Sequence, residues 1–220
     1  MERNNLCWYK DICKLDCHNC VRYRTIVDML ERSELPKAQW YPDRLTPTTE
    51  EDKRTFGKLK DIQRKIDKYI EHGYNFFLGS IESGTGKTTW AIKLMLSYFD
   101  KKWSTSGIDS VGLFVHVPTL LRQLKNFSNP VSDEYIEKIK ESDVVIWDDI
   151  ATTPLTDYEY NQLLVLIDSR TINKKSNIYT SNVVSKDELL KVLGARLTSR
   201  VYNSSIVAIF TGKDVRGIAL

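Results

Sequence analysis

The chain has 220 residues, of which 41% are hydrophobic and 28% are charged, a composition typical of a globular protein. This length suits one domain with a small appendage, and a net charge of +3 is too small to indicate nucleic-acid binding by itself. No apolar run approaches the ~18 residues of a membrane helix. The start MERNNLCWYK lacks the apolar core of a secretory signal, so we expect a cytoplasmic protein.

The cysteines are concentrated at the start of the chain, with the spacing C-x5-C-x3-C-x2-C. They are Cys7, Cys13, Cys17 and Cys20. Clustered thiols in a cytoplasmic protein favour zinc over disulfides, and a tetrahedral site with four thiolates would stabilise a segment too short to fold alone. We expect His18 not to be a ligand. Four unrelated free thiols are the alternative.

Residues 1–47 are therefore predicted to be a zinc module followed by a connector. Pro36, Pro42 and Pro47 interrupt helices, which favours an extended chain in SELPKAQWYPDRLTP. The module is expected to recognise a protein. The alternative is contact with DNA, through basic residues of this region: Lys10, Lys14, Arg22 and Arg24.

A regular pattern begins at Thr48, where Thr48 or Thr49 is predicted to cap a helix with an acidic first turn. Apolar residues then recur every three or four positions up to Gly73: Phe56, Leu59, Ile62, Ile66 and Ile70. Five apolar runs separated by helical segments are predicted to be strands: YNFFLGS, GLFVHVP, DVVIWDD, SNIYTSN and SSIVAIFTG. Because strands that alternate with helices form parallel sheets covered on both faces, we predict an α/β fold over residues 48–220.

The loop after the first predicted strand, SIESGTGKTTW, matches the end of the phosphate-binding pattern G-x-x-x-x-G-K-[ST]. Backbone N–H groups would bind phosphates, the lysine would reach the outer phosphates, and the first threonine hydroxyl would bind magnesium. The predicted nucleotide-binding residues are Ser83, Gly84, Thr85, Gly86, Lys87, Thr88 and Thr89. Ile81 replaces the first glycine of the pattern, a change that we expect Gly79 to offset. The alternative is a glycine-rich turn with a surface lysine.

Two adjacent acidic residues end the third predicted strand, VVIWDDI. Nucleotide hydrolysis needs a carboxylate that holds magnesium and a neighbour that orients the attacking water. We assign the first role to Asp148 and the second to Asp149, with ordinary surface charges as the alternative. Because aspartate is shorter than glutamate, we expect Asp149 to position water less well and hydrolysis to be slow.

Three further polar residues are predicted to complete the site. Asn182 follows the fourth strand, and ligands of parallel sheets bind beyond the carboxyl ends of the strands; an asparagine that opens a turn is the alternative. Arg196 and Arg200 lie four residues apart on one predicted helix face. In ring-forming ATPases such an arginine reaches the γ-phosphate of a neighbouring subunit, whereas the alternative is a solvated basic face.

These motifs, in their order along the chain, resemble the DnaC/DnaI-type replicative helicase loaders, particularly the short versions carried by bacteriophages. The resemblance covers nearly the whole chain: the cysteine-rich start, LPKAQWYPDRLTP, GTGKTTWA, LFVHVPTLLRQLK, VVIWDDI, IYTSN, ARLTSR and FTGKDVRG. It implies an AAA+ ATPase that uses ATP and magnesium and binds a hexameric replicative helicase through its N-terminal domain. It also implies assembly as a homo-oligomer on the helicase, which is then placed on single-stranded DNA.

The resemblance also assigns roles to single residues. It makes Asn182 the first sensor and Arg200 or Arg196 the arginine finger. The strand-binding segment of the family corresponds to LKNFSN, so that Lys125 and Phe127 become candidates for contact with DNA. A position of Phe127 in the core is the alternative.

The end of the sequence departs from many AAA+ proteins. It follows the fifth predicted strand closely, so we expect no C-terminal helical lid. Arg216 is then the candidate for a second sensor or for contact with a neighbour. Two other functions fit the motifs: a transposition-helper ATPase of the IstB kind, and a nucleotide-gated DNA-binding or scaffold module with negligible hydrolysis. The cysteine-rich start and the connector favour the loader.

Overall fold

Five parallel strands form one sheet in the computed structural model, which describes residues 20–105, 111–126, 128 and 130–213. The strands are Asn75–Gly79 (β1), Gly112–His116 (β2), Val144–Asp148 (β3), Ser176–Ser181 (β4) and Ser205–Ile209 (β5). Their order across the sheet is β2-β3-β4-β1-β5, and each neighbouring pair is parallel. All five predicted strands are confirmed, and so is the parallel α/β sheet.

Helices connect these strands and cover both faces of the sheet. They are Val21–Arg32 (α1), Glu50–Arg64 (α2), Ile66–Glu71 (α3), Lys87–Lys102 (α4), Val117–Leu124 (α5), Asp133–Glu141 (α6), Asp157–Ile172 (α7) and Lys186–Thr198 (α8). A short 3₁₀ turn spans Lys37–Gln39, and a π-helical turn spans Ser199–Asn203. Within the described ranges, no helix combines the length and apolar character needed to cross a membrane.

The strands supply side chains to two separate apolar cores, one on each face of the sheet. In β1, Phe76 and Leu78 pack with α1 to α4, whereas Phe77 packs with α5 to α8. In β3, Ile146 belongs to the first core and Trp147 to the second. The predicted burial on both faces is confirmed for β3, whose apolar sequence VVIW is fully buried. It is wrong for β5, which lies at the edge of the sheet and is half-buried, with Val207 37% exposed.

The helix predicted to run to Gly73 is broken into two pieces. Thr49 caps α2 by accepting a hydrogen bond from the backbone N–H of Asp52, as its position before the acidic turn predicts. At Lys65 the backbone leaves the helical region, with φ −122° and ψ 23°, and α3 then begins. The break keeps Ile66 and Ile70 buried, so the apolar pattern correctly identified the core although not the continuity of the helix.

The region predicted to be module and connector contains a helix, α1, that the sequence interpretation missed. Its residues Ile26, Met29 and Leu30 are buried in the same core as α2 to α4. Their spacing of three and four residues was the available signal. The domain boundary after residue 47 stays a prediction, but α1 is packed against the sheet domain.

A buried arginine organises the amino ends of the strands. Arg170 of α7 is 0% exposed, and burial lowers its pKa to about 9. Its guanidinium donates over 2.5–2.8 Å to four oxygens, those of the Ile139, Ser142 and Ser176 carbonyls and of the Asn177 side chain. Because these oxygens are buried and need donors, Arg170 ties α6, α7 and β4 together, and the Asn177 oxygen also accepts from the Trp147 indole N–H at 2.9 Å.

Candidate functional site

The glycine-rich loop lies between the carboxyl end of β1 and the start of α4. Gly84 has φ 72° and Gly86 has φ 96°, left-handed values that a side chain disfavours. Gly86 is the N-cap of α4 and provides no side chain, so the first turn of this helix keeps unsatisfied N–H groups. A loop of this shape at a helix N-terminus is suited to bind phosphate.

Ile81, which replaces the first glycine of the pattern, does not obstruct this loop. Its side chain is 76% exposed. The expectation that Gly79 offsets the change is wrong, because Gly79 lies inside β1 and is not among the glycines with positive φ. A Cβ on Gly79 would come within 2.8–3.0 Å of the side chains of Phe77, Val184 and Ile209, so this glycine serves close packing.

Lys87, the first residue of α4, is almost fully buried beside the loop. Its ammonium group donates to the carbonyl of Glu82 at 3.1 Å, across the loop. Thr85 is also buried, and its hydroxyl has no hydrogen-bond partner in the described part of the chain. Ser83 is exposed and Thr89 is half-buried. The loop therefore holds buried polar groups that a bound phosphate would satisfy.

Two hydroxyl groups converge on the carboxylate of Asp148 at the end of β3. The Thr88 hydroxyl donates to Asp148 Oδ1 at 2.8 Å, and the Thr180 hydroxyl donates to the same oxygen at 2.8 Å. Two adjacent ligands of an octahedral Mg²⁺ ion, at about 2.1 Å from the metal, lie about 2.9 Å apart. The predicted magnesium ligands Thr88 and Asp148 thus stand at the separation that this ion requires.

The environment of Asp148 opposes its ionisation. Burial raises the pKa of this carboxyl above its usual range, and the neighbouring Asp149 acts in the same direction. The hydrogen bonds from Thr88 and Thr180, together with His116, lower the pKa and offset part of the shift. A bound cation would relieve this cost, because it supplies the positive charge that the site lacks.

Asp149 is held in a strained backbone conformation next to this carboxylate. Its φ is 58°, and its N–H donates to the Thr180 hydroxyl at 2.9 Å. Its Oδ2 lies 3.7 Å from Nε2 of His116, the last residue of β2. Ala151, with φ 66°, adds a second left-handed residue. Strain of this kind persists where the surroundings enforce it, often at functional sites.

Thr180 and His116 are the site residues that sequence reasoning missed. Both are polar residues at the carboxyl ends of strands, which is the same signal that led to Asn182. Asn182 itself lies exposed in the bend after β4, two residues beyond Thr180. Its role as a sensor therefore stays a prediction, whereas the contacts with the acidic pair are made by Thr180.

The two candidate finger arginines share one partner. Arg196 donates to Asp168 Oδ2 at 3.1 Å, and Arg200 donates to Asp168 Oδ1 at 2.8 Å. Gly194, with φ 69°, kinks α8 just before this segment, and the π-helical turn follows it. Both arginine side chains remain substantially exposed, 69% and 41%, so they lie on the surface as a residue that contacts a neighbour would.

The remaining predicted residues lie elsewhere. Lys125 forms an ion pair with Glu159 at 2.8 Å, and Phe127 and Arg216 fall outside the described residues. Cys20 is a free cysteine at the N-cap of α1. The other three, Cys7, Cys13 and Cys17, lie outside the described residues, and the described part of the chain contains no group of three or more His, Cys, Asp or Glu side chains that could hold a metal ion.

Comparison with solved structures identifies the fold. The DnaC helicase loader matches with a TM-score of 0.67 and 20% identity, over 80% of this chain and 100% of that one. DnaI matches with a TM-score of 0.64 and 18% identity, over 83% and 95%. The fold is that of the DnaC and DnaI structures. The replication initiator DnaA bound to AMPPCP and single-stranded DNA matches less closely, with a TM-score of 0.54 and 15% identity over 75% of this chain and 48% of that one.

The likeness to DnaC, DnaI and DnaA confirms the predicted α/β fold, a parallel sheet with flanking helices. No protein-family model matches the chain, and a search of curated proteins gives no match either. At identities of 20% or less, the likeness to DnaC and DnaI shows a shared fold, so the activity has to be argued from the site.

Proposed function

We propose that the chain is an ATP-dependent loader that binds a hexameric replicative DNA helicase and helps to place it on single-stranded DNA. The match to the whole length of the DnaC helicase loader supports the loader part of this proposal. The contact of 2.8 Å between Thr88 and Asp148, beside a buried lysine and an uncapped helix, carries the nucleotide part.

In this proposal each residue at the sheet edge has a distinct task. The loop N–H groups and Lys87 bind the phosphates of ATP, and Thr88 and Asp148 hold magnesium. When bound, the ion neutralises the phosphate oxygens and orients them for attack. Thr180 fixes the Asp148 carboxylate and the Asp149 backbone, so that both keep their positions as the nucleotide changes.

Asp149 is the residue that would orient the attacking water. Its side chain is 38% exposed, and its neighbour His116 lies 3.7 Å away. A short carboxylate that is partly open to solvent makes slow hydrolysis the expected behaviour. Asp149→Asn should lower the turnover of ATP by at least about tenfold and leave the affinity for ATP within about twofold. Unchanged turnover in this variant would contradict the assignment.

Hydrolysis would be completed by a second copy of the chain on the helicase. Arg196 or Arg200 then exchanges its partner Asp168 for the γ-phosphate held by the neighbour. Mixing two inactive variants, Lys87→Met and Arg200→Ala, tests this directly. Mixed assemblies contain sites with an intact Lys87 facing an intact Arg200, so activity should return. If Arg196 is the finger, Arg196→Ala is inactive alone and regains activity when mixed with Lys87→Met, whereas Arg200→Ala is active without a second variant. No recovery with either arginine variant would argue against action between subunits.

Two contacts outside this edge belong to the same proposal. Lys125 and Phe127 would contact single-stranded DNA, for which Lys125 has to break its ion pair with Glu159.

Zinc would be bound by the four cysteines Cys7, Cys13, Cys17 and Cys20. The zinc content should be near one per chain and should be lost in Cys17→Ser and Cys20→Ser. A zinc-free protein with an intact N-terminal region would overturn the metal site.

The loader function is tested with the partner itself. The full chain is mixed with a purified hexameric replicative helicase and a circular single-stranded DNA, with and without ATP, and the helicase on DNA is measured after gel filtration. ATP should increase helicase loading with the wild type and with the surface control Lys68→Met, but not with Lys87→Met. Binding only to duplex DNA, with no complex with the helicase, would favour the transposition-helper alternative.

A further inference from the structure

A cavity separate from the glycine-rich loop lies beneath the connector. It has a volume of about 640 Å³ and is bounded by α1, α2, α4 and the chain from Trp40 to Leu45. Ile26, Leu30 and Leu96 give it an apolar wall. Cavities of this volume are in the range that holds ligands of small-molecule size or a few side chains.

A buried tryptophan forms part of the wall of this cavity. Trp90 lines it and is 3% exposed, and its indole Nε1–H has no acceptor among the described residues. The rings of Phe56 and Trp90 pack edge to face, with 5.2 Å between their centroids, and this packing fixes the Trp90 ring. Because this nitrogen is itself buried, Trp90 contributes a fixed aromatic side chain to the wall and no accessible donor.

The rim of the cavity carries positive charge. Lys60 and Arg44 are exposed, and neither has an ion-pair partner within the described ranges. Lys93 donates to the carbonyl of Asp43 at 2.5 Å, which fastens the connector to α4. The acidic residue in the wall, Asp100, is engaged by Arg22. An anionic group is therefore the complement that the rim favours.

We propose that this cavity binds an acidic peptide segment of a protein partner, with an apolar side chain inserted between α1 and α4. The inserted side chain covers the apolar wall, and a neighbouring carboxylate meets Lys60 and Arg44. The geometry favours a peptide over nucleic acid. The Trp90 ring is buried and offers no face for stacking a base, and the cations surround one cavity instead of following a strand.

The test selects peptides on the intact chain. Random dodecapeptides displayed on phage are selected on the immobilised wild type, with the variant Lys60→Glu used for counter-selection. The best peptide is then synthesised and titrated into ¹⁵N-labelled protein, whose five tryptophans give separate indole N–H signals. The Trp90 signal is assigned from its loss in Trp90→Phe. Oligodeoxythymidine is titrated in parallel.

The proposal expects enriched peptides that combine acidic and apolar residues, and a shift of the Trp90 indole signal when such a peptide binds. Lys60→Glu should weaken binding by about tenfold, whereas the matched control Lys58→Glu, on the same helix but outside the cavity, should change it by less than about twofold. Absence of Lys60-dependent enrichment, a Trp90 signal moved only by the oligonucleotide, or equal losses in both variants would overturn it.

Discussion

The amino and carboxyl ends of the sheet differ in how completely their buried polar groups are hydrogen-bonded. At the amino ends, Arg170 is buried and donates to four oxygens in its own chain, so the network is complete. At the carboxyl ends, α4 starts without a cap, and the buried hydroxyls of Ser80 and Thr85 have no partner in the described part of the chain. The first end is built to hold the fold together, and the second end leaves groups available to a ligand.

The largest effect is expected at the amino end. Arg170→Met removes a donor from four buried oxygens and should lower the free energy of unfolding by about 3–5 kcal/mol. Urea denaturation of the variant measures this loss. The control Arg64→Met, at an arginine whose side chain is 75% exposed, should stay within about 0.5 kcal/mol. A loss no larger than that of the control would show that the hydrogen bonds of Arg170 do not stabilise the fold.

The next largest effect is expected for a change at Lys87, which should alter the binding of ATP and not the stability of the protein. Lys87→Met should lower the affinity for ATP by about 100-fold, because the proposed charged hydrogen bond to phosphate is lost. Methionine fills the same buried space without a charge, so the variant should be at least as stable as the wild type. Titration with a fluorescent ATP analogue and thermal unfolding measure both quantities. A destabilisation like that of Arg170→Met would show that Lys87 is a structural residue.

The raised pKa of Asp148 should make the stability of the protein depend on pH. The raised pKa of Asp148 means that the wild type loses stability as pH rises from the ordinary aspartate value of 3.8 through the higher folded value. Asp148→Asn avoids this loss, so without nucleotide its melting temperature should exceed that of the wild type at neutral pH. The difference should shrink as pH falls through this range. An Asp148→Asn variant that melts below the wild type at neutral pH would contradict this prediction. The control is Asp61→Asn, at a side chain that is 73% exposed.

The smallest effect compares two buried serines at opposite ends of the sheet. The Ser80 hydroxyl has no partner in the described structure, so Ser80→Ala should change the free energy of unfolding by no more than about 0.5 kcal/mol. The Ser142 hydroxyl donates to the Lys138 carbonyl at 2.6 Å, so Ser142→Ala should cost about 1 kcal/mol. Chemical denaturation of both variants measures the two free energies of unfolding. Equal losses in Ser80→Ala and Ser142→Ala would contradict the expected difference between the two ends of the sheet.

Local patterns in the sequence were sufficient for much of the fold. The continuous apolar run VVIW fits a strand buried on both faces, and Thr48 or Thr49 before an acidic turn predicted the start of α2, which Thr49 caps. The loop from Gly84 to Thr88 and the acidic pair could be proposed as a site because each motif consists of residues close together in sequence, and their roles stay predictions. The helix α1 was missed because the prolines after it dominated the interpretation, although Ile26, Met29 and Leu30 had helical spacing.

The sequence by itself determined which side chains end the strands, because the apolar runs and the residues that follow them are read directly. Only the tertiary structure decided which of those side chains meet. Sheet order places β3 between β2 and β4, so Thr180 and His116 reach the acidic pair, whereas Asn182 lies beyond it in an exposed bend. Strand order, backbone strain at Asp149 and the cavity under the connector arise from contacts between distant segments, and no local pattern encodes them.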